Sequence, residues 1–153
     1  VVLRDGKVHA AGDVLSLRAR LDLAAELGAE ADSLIDATVV GHDADDQLSR
    51  LAFAGGEFQV IGTELPLGRR VRLRVLARDV SLTRRQQSDT SILNIFPATV
   101  TEIAGENAAQ VLVRLDLAGV PLLARITRRS VRVLGLAPGQ RVHAQIKAAA
   151  LLR

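Results

Sequence analysis

Three short segments in the second half of the chain carry hydroxyl groups and positive charge, with no carboxylate among them. They span residues 90–94, 127–130 and 147–148. A tetrahedral dianion is bound by several short hydrogen-bond donors and a positive charge, which hydroxyls, backbone N–H groups and an ammonium supply. Lys147 is one of only two lysines, against a background of arginines. These residue types therefore predict a site for a small, doubly charged oxyanion.

Each segment also has an ordinary structural explanation. Thr127 and Ser130 are spaced to cap a short helix, and Thr90–Ser91 can form a turn before a strand. The two arginines between Thr127 and Ser130 are typical of a solvated surface, and Lys147 can protect an exposed strand edge. For each segment taken singly, spacing favours these explanations, and the oxyanion site remains the alternative.

Composition excludes several classes of protein. The chain has 153 residues, 48% hydrophobic and 2% aromatic, with Phe as its only aromatic residue type and a net charge of +3. The lack of Tyr and Trp disfavours a DNA- or RNA-binding barrel, since single strands stack on such rings. Cysteine is absent, which excludes disulfides and thiolate metal sites. No apolar run is long enough to cross a bilayer, so we predict no direct membrane insertion.

Enzyme motifs are missing from the sequence. It has no Gly-rich phosphate loop ending in Lys-Ser or Lys-Thr, no Gly-x-Ser-x-Gly elbow and no His-Glu-x-x-His. Three aspartates at positions 43, 45 and 46 lack the closing Glu of a calcium loop. We therefore predict a non-catalytic chain with no ATP site and no metal site.

Hydrophobic periodicity predicts a mainly β protein after a short helical start. Residues 1–12 read as a hairpin around Asp5-Gly6, and a helix is predicted from Asp13 to Gly28, followed by a linker over 28–33. Alternating or apolar runs then predict strands at residues 35–40, 48–53, 57–61, 71–75 and 142–146. Short strands divided by Gly or Pro turns are typical of small barrels.

An internal repeat divides this β-rich part. Leu65–Val71 is echoed 71 residues later by Leu136–Val142, whereas Ala37–Val39 is echoed 61 residues later by Ala98–Val100. The second unit therefore has about ten extra residues, which we place in the stretch containing Ala124–Ser130, a natural location for function. Short matches of this kind also arise by chance in a chain rich in Val and Leu.

Three strings together resemble the Mop or TOBE module, namely Ser91–Val100, Leu123–Ser130 and Gln145–Lys147. This module occurs in molybdate-importer ATPases, molybdate-sensing transcription regulators and small molybdate-binding proteins. The resemblance covers about residues 34–153 in a duplicated, di-Mop form. It implies tandem barrels similar to the oligonucleotide-binding (OB) fold, with short helical segments, that pair with a second copy and hold molybdate or tungstate at or near the subunit contact.

The start of the chain distinguishes the importer from the other relatives. Residues 1–28 resemble the end of an ABC-type nucleotide-binding domain, which closes with a hairpin and a helix, and Arg74–Leu82 resembles the importer ATPases. Val rather than Met at position 1 predicts a piece of a longer protein. We expect three parts: the end of the ATPase domain (1–28), a first Mop/TOBE repeat (29–86) and a second repeat with the oxyanion site (87–153).

The resemblance assigns roles to the matched positions. It implies an oxyanion site of Ser91, Thr127, Ser130 and Lys147 with the backbone of Ala148. Many members of the family have Arg where this chain has Leu93, and three arginines are candidates to compensate for this loss: Arg125, Arg128 and Arg129. In the first repeat Leu76 stands where the second has Lys147, so we expect that repeat to be structural.

The function implied is regulatory. The resemblance predicts a domain of an ATP-hydrolysing molybdate importer subunit that senses intracellular oxyanion and modulates transport, in the manner of trans-inhibition. The parent protein would be cytoplasmic, bound to the transporter's membrane subunits at the inner face of the cell membrane. Two alternatives stay open: a ligand-free structural dimerisation module of the same subunit, and the di-Mop sensor domain of a molybdate-responsive regulator.

Overall fold

The computed structural model describes residues 2–4, 7–9 and 31–152. Within these ranges the protein is mainly β, as the sequence predicts, with one α-helix and one turn of 3-10 helix at Ala77–Asp79. The helix, α1, spans Arg128–Leu134. The strands are β1 Val2–Arg4, β2 Lys7–His9, β3 Asp32–Asp43, β4 Leu48–Phe53, β5 Gly56–Ile61, β6 Arg70–Leu76, β7 Val80–Thr83, β8 Asn94–Gly105, β9 Gln110–Leu117, β10 Val120–Thr127, β11 Arg141–Ile146 and β12 Ala150–Leu152.

The predicted N-terminal hairpin is confirmed by the pairing of β1 with β2. The two strands are antiparallel, with Val2 opposite His9 and Arg4 opposite Lys7. The Asp5-Gly6 turn itself and the helix predicted from Asp13 to Gly28 lie outside the described residues.

Strand β3 is longer than the sequence predicts. It covers 12 residues from Asp32, so it begins inside the stretch predicted as a linker. The buried positions alternate from Ser33 through Ile35 to Val39. Polar Ser33 conceals the start of this alternation because a buried hydroxyl looks like a loop residue until its partner is known.

Two five-stranded antiparallel sheets form the body of the protein, and one of them curves into a half-barrel. The first has the order β12-β6-β3-β4-β5, and the second has the order β10-β9-β8-β11-β7. Each sheet therefore has one edge strand from the other repeat. β7, from the first repeat, pairs with β11 at the edge of the second sheet, and β12, from the end of the second repeat, pairs with β6 at the edge of the first.

The repeat is visible in the matching strand order, and the extra residues of the second unit are spread over three places. β9 and β10 have 8 residues each, against 6 each in β4 and β5. The connection from β10 to β11 runs over residues 128–140 and contains α1, whereas the connection from β5 to β6 runs only over residues 62–69. About half of the predicted insertion thus forms the helical segment, and most of the rest lengthens a hairpin.

One hydrophobic core joins the two sheets. Its buried residues come from both halves, and all three phenylalanines meet in it. The ring centres of Phe53, Phe58 and Phe96 are 4.8–5.1 Å apart, within the range of favourable aromatic pairs. Since Phe53 and Phe58 belong to the first sheet and Phe96 to the second, this cluster ties the two repeats together.

Two polar side chains at equivalent places also join the sheets. The amide of Asn94, at the start of β8, accepts from the Gln59 N–H (2.7 Å) and donates to the Gln59 carbonyl (3.1 Å) on β5. Near the start of β3, the buried Ser33 hydroxyl accepts from the Leu123 N–H on β10 (2.9 Å). In each repeat, a side chain on the first long strand therefore hydrogen-bonds to the backbone of the outer hairpin strand of the other repeat, so that these backbone groups are not left unpaired.

The Ser33 contact predicts a stability effect. Changing Ser33 to Ala leaves the Leu123 N–H buried without an acceptor, so we expect the free energy of unfolding to fall by about 1–3 kcal/mol. Urea denaturation measures this, and Ser88→Ala, at an exposed serine, serves as the matched control. An unchanged denaturation midpoint in Ser33→Ala would show that this hydrogen bond contributes nothing to stability.

Candidate oxyanion-binding site

Thr127 and Ser130 form the cap of helix α1. The Ser130 N–H donates to Thr127 Oγ1 (3.0 Å), and the Thr127 hydroxyl donates to Ser130 Oγ (2.9 Å). Thr127 itself is in extended conformation and ends β10, so the helix begins where the hairpin stops. The capping explanation from the sequence is confirmed. It leaves the Ser130 hydroxyl hydrogen without an acceptor in the described part of the chain, at the surface.

Lys147, Ala148 and Ser91 lie at the surface where β8 and β11 meet. Lys147 directly follows β11, and its N–H donates to the Asp79 carbonyl (2.9 Å). Its side chain is exposed, as are Ala148 and Ser91. Ser91 precedes β8, and the Ile92 N–H donates to the Thr90 hydroxyl (3.2 Å), a local turn as the sequence predicts.

The register shows that these two groups of donors lie at opposite ends of the second sheet. Ile146 pairs with Asn94 at the start of β8, so Ser91 and Lys147 leave the sheet at that end. Gly105, at the other end of β8, pairs with Val111, and Thr127 pairs with Gln110 next to it. At about 3.3 Å per residue, the 12-residue β8 separates the groups by a contour length of roughly 35 Å. One chain brings Ser91 towards Lys147 but does not bring Thr127 to either.

Two of the three candidate compensating arginines are held by other groups. Arg125 pairs with Glu106 through Nε (2.6 Å) and Nη2 (3.0 Å), and both side chains are largely buried. The Arg128 guanidinium donates twice to the Asn107 carbonyl, at 3.0 and 2.8 Å. Arg129 is exposed and has no hydrogen bond or ion pair to the described residues.

These contacts involve the turn between β8 and β9, which supports the start of α1, a role that the sequence does not predict. Asn107 accepts from the N–H groups of Ala109 and Gln110 (2.9 and 2.8 Å), and the Arg128 N–H donates to the Ala109 carbonyl (2.8 Å). The β8–β9 turn and the start of α1 are thereby bound to each other. An Asn whose side chain accepts from the backbone N–H two residues later forms an Asx turn, a common local motif. Nothing in the sequence indicates that the backbone carbonyl of Asn107 accepts from the Arg128 guanidinium.

The described residues offer no metal site and no helix that could cross a membrane. No cluster of three or more His, Cys, Asp or Glu side chains suited to a metal ion occurs among them. None of their helices combines the length and the apolar character that a bilayer requires.

Comparison with known proteins identifies a domain in the chain and several relatives. Residues 90–152 match the TOBE domain model. The whole chain is 50% identical to part of the molybdenum import ATP-binding protein ModC of Aromatoleum aromaticum and covers 41% of that protein. ModC 1 of Azotobacter vinelandii is 49% identical over 99% of the chain, which covers 42% of the relative. The chain thus spans about two fifths of the length of these relatives.

A solved structure shows the same fold. The crystal structure of the cytoplasmic molybdate-binding protein ModG, with molybdate bound, superposes with a TM-score of 0.68 at 26% identity, covering 77% of this chain and 93% of ModG. The resemblance inferred from three strings is therefore confirmed: the chain carries a TOBE domain and is, over its whole length, a relative of the C-terminal part of the molybdenum import ATP-binding proteins.

Proposed function

We propose that the second repeat binds molybdate or tungstate between two copies of the chain. One copy would contribute Ser91, Lys147 and the Ala148 backbone, and the other would contribute Thr127 and Ser130. The observation that carries the proposal is the division of the donors into two groups at opposite ends of one sheet, in which only Ser130 is half-buried. Neither group surrounds an anion alone, whereas two copies packed end to end would supply hydroxyls, N–H groups and an ammonium together.

The electrostatics of each group support an anion. Lys147 is exposed and has no carboxylate partner among the described residues, so an incoming dianion would meet an unneutralised charge. Ser130 Oγ already accepts from Thr127, and its own hydroxyl hydrogen has no acceptor among the described residues. Arg125 is neutralised by its ion pair with Glu106. Arg129 is the one candidate compensating donor without a partner in the described part.

The proposed role is feedback on an importer. An oxyanion that binds only between two copies stabilises the paired state by its binding free energy, and it thereby shifts any equilibrium coupled to pairing. In the parent ATPase, accumulated oxyanion would tie two regulatory domains together at the inner face of the membrane and bias the ATPase dimer against closing. This fits the identity to molybdenum import ATP-binding proteins.

A complementation experiment tests whether the site is shared. Lys147→Ala and Thr127→Ala each remove one side of the site, so each variant alone is expected to bind molybdate weakly in calorimetry. In a mixture of the two, each mixed pair keeps one intact site, formed by Lys147 of the Thr127→Ala chain and Thr127 of the Lys147→Ala chain. We therefore expect the mixture to recover up to half of the sites per mixed pair.

A site within one chain would give no recovery on mixing, because every chain would still lack one donor. That result would exclude the shared geometry. Thr127→Ala also removes the N-cap of α1, and this loss costs about 0.5–2 kcal/mol of stability. Thr127→Ser keeps the capping hydroxyl and is therefore the matched control. Absence of heat and of any thermal shift with the unmodified chain at millimolar molybdate would exclude the sensor function itself.

A second candidate function rests on Leu93. Its side chain is 57% exposed, and continuing the β8–β11 register by one step places it opposite Lys147. An apolar side chain at this point suits a ligand-free dimer contact better than an anion site. This function predicts a stable dimer. Molybdate would leave its dissociation constant unchanged, and Leu93→Asp would raise it, as sedimentation velocity would measure.

A further inference from the structure

The outer face of the first repeat has an uneven charge distribution. Arg70, Arg72 and Arg74 project from the same face of β6, since side chains alternate along a strand. Arg74 pairs with Asp32 (2.8 Å) and Arg72 with Asp36 (2.9 Å) on β3. The hydrogen bond and the charge of Asp36 raise the pKa of Arg72. These two arginines are thus neutralised within the sheet.

Arg70 is the next residue on this face of β6 after Arg72, beyond the Arg72–Asp36 pair. The residue opposite it on β3 is Thr38, and neither Arg70 nor its neighbour Arg69 forms an ion pair with the described residues. Both are exposed. The row of paired charges on β6 therefore ends at two arginines, adjacent in sequence, that have no counter-charge from the described residues.

A cleft of about 520 Å³ lies beside these two arginines. Its lining also includes the ion-paired Asp36 and Arg72 and apolar side chains from three segments: Leu65, Val71, Leu151 and Leu152. Strand β12 ends opposite Arg72, so within the described residues Arg70 and Val71 have no strand partner on that side. Within the described residues, the cleft thus combines two positions of β6 that are unpaired on this side, an apolar floor and two arginines that have no carboxylate partner, beside the Arg72–Asp36 pair.

From this combination, we propose that the cleft binds an extended acidic segment of a partner protein, independently of the oxyanion function. A peptide laid along β6 beside Arg70 would project alternate side chains to opposite faces. Carboxylates on the outer face would meet Arg69 and Arg70, and apolar side chains on the inner face would contact Leu65 and Val71. The recognised pattern is therefore Glu or Asp alternating with Leu, Ile or Val.

The second repeat provides a matched control. Arg141 is the counterpart of Arg70 in the repeat and is also exposed on the equivalent strand. The cleft beside it is lined by Arg141, Asp116 and His143 and, within the described chain, has no second arginine. Charge reversal at Arg141 therefore changes the net charge of the protein by the same amount without touching the arginine pair of the first repeat.

Fluorescence anisotropy tests the proposal with a labelled hexapeptide in which Glu and Leu alternate, titrated with the whole chain. We expect saturable binding that Arg70→Glu weakens at least about tenfold and Arg141→Glu changes less than about twofold, and that weakens steeply with added salt. The same peptide with Gln for Glu should not bind. Far-UV circular dichroism verifies that both variants fold, as expected for exposed positions.

Three results would overturn the proposal. Equal losses for Arg70→Glu and Arg141→Glu would indicate attraction by net charge alone. Equal binding of the Gln peptide would remove the role of the arginines. Displacement of the labelled peptide by free glutarate at the concentration at which unlabelled peptide displaces it would assign the cleft to small carboxylates and not to a peptide segment.

Discussion

Changing Lys147 to Ala is expected to weaken molybdate binding by about 10- to 150-fold, because a hydrogen bond to a charged group contributes about 1.5–3 kcal/mol and each 1.4 kcal/mol is tenfold in affinity. The ammonium is the only full positive charge among the five proposed site residues. It is exposed in the free chain, so its removal should change the free energy of unfolding by less than about 0.5 kcal/mol. Isothermal calorimetry with molybdate, beside a denaturation curve, separates the two effects.

The control for Lys147→Ala is Arg84→Ala, which removes an exposed cation outside the proposed site and should leave molybdate affinity unchanged. Lys147→Arg keeps the charge but replaces a compact ammonium with a planar fork, and we expect partial binding. If the unmodified chain binds molybdate and Lys147→Ala binds it equally well, Lys147 is outside the site and the proposed donor set is wrong.

Truncating Phe58 to Ala is expected to destabilise the fold by about 3–5 kcal/mol, the usual cost of removing a fully buried aromatic side chain. Phe58 is 0% exposed and contacts both other phenylalanines. The cavity would open in the core that the two sheets share. Guanidinium denaturation followed by far-UV circular dichroism measures the effect, and thermal unfolding should shift by on the order of 10 °C.

Leu67→Ala is the comparison for Phe58→Ala, since Leu67 is 64% exposed and its truncation should change stability by less than about 0.5 kcal/mol. A single cooperative transition in Phe58→Ala would agree with one core shared by both repeats. Two separate transitions in the unmodified protein would contradict that shared core, because each repeat would then unfold alone.

Strands β3 to β6 and β11 were predictable because their physical signal is local. Val71, Leu73 and Val75 alternate with arginines, and an alternation of this kind can bury only one face. The start of β3 was not predictable, since Ser33 is buried only because Leu123 donates to it from a strand 90 residues away. Likewise, the sequence predicts a cap at Thr127 from its spacing to Ser130, but not the clasp between Arg128 and Asn107.

The sequence by itself determined the fold class, the duplication and the residue types of the proposed oxyanion site, because periodicity, repeat offsets and side-chain chemistry are properties of the chain. The tertiary structure alone decided how the two repeats exchange β7 and β12 and where the donors lie. Ser91 and Lys147 meet through the pairing of β8 with β11, whereas Thr127 is carried to the far end of the same sheet by the β9–β10 hairpin. Strand pairing between distant segments sets these positions, and no local pattern encodes it.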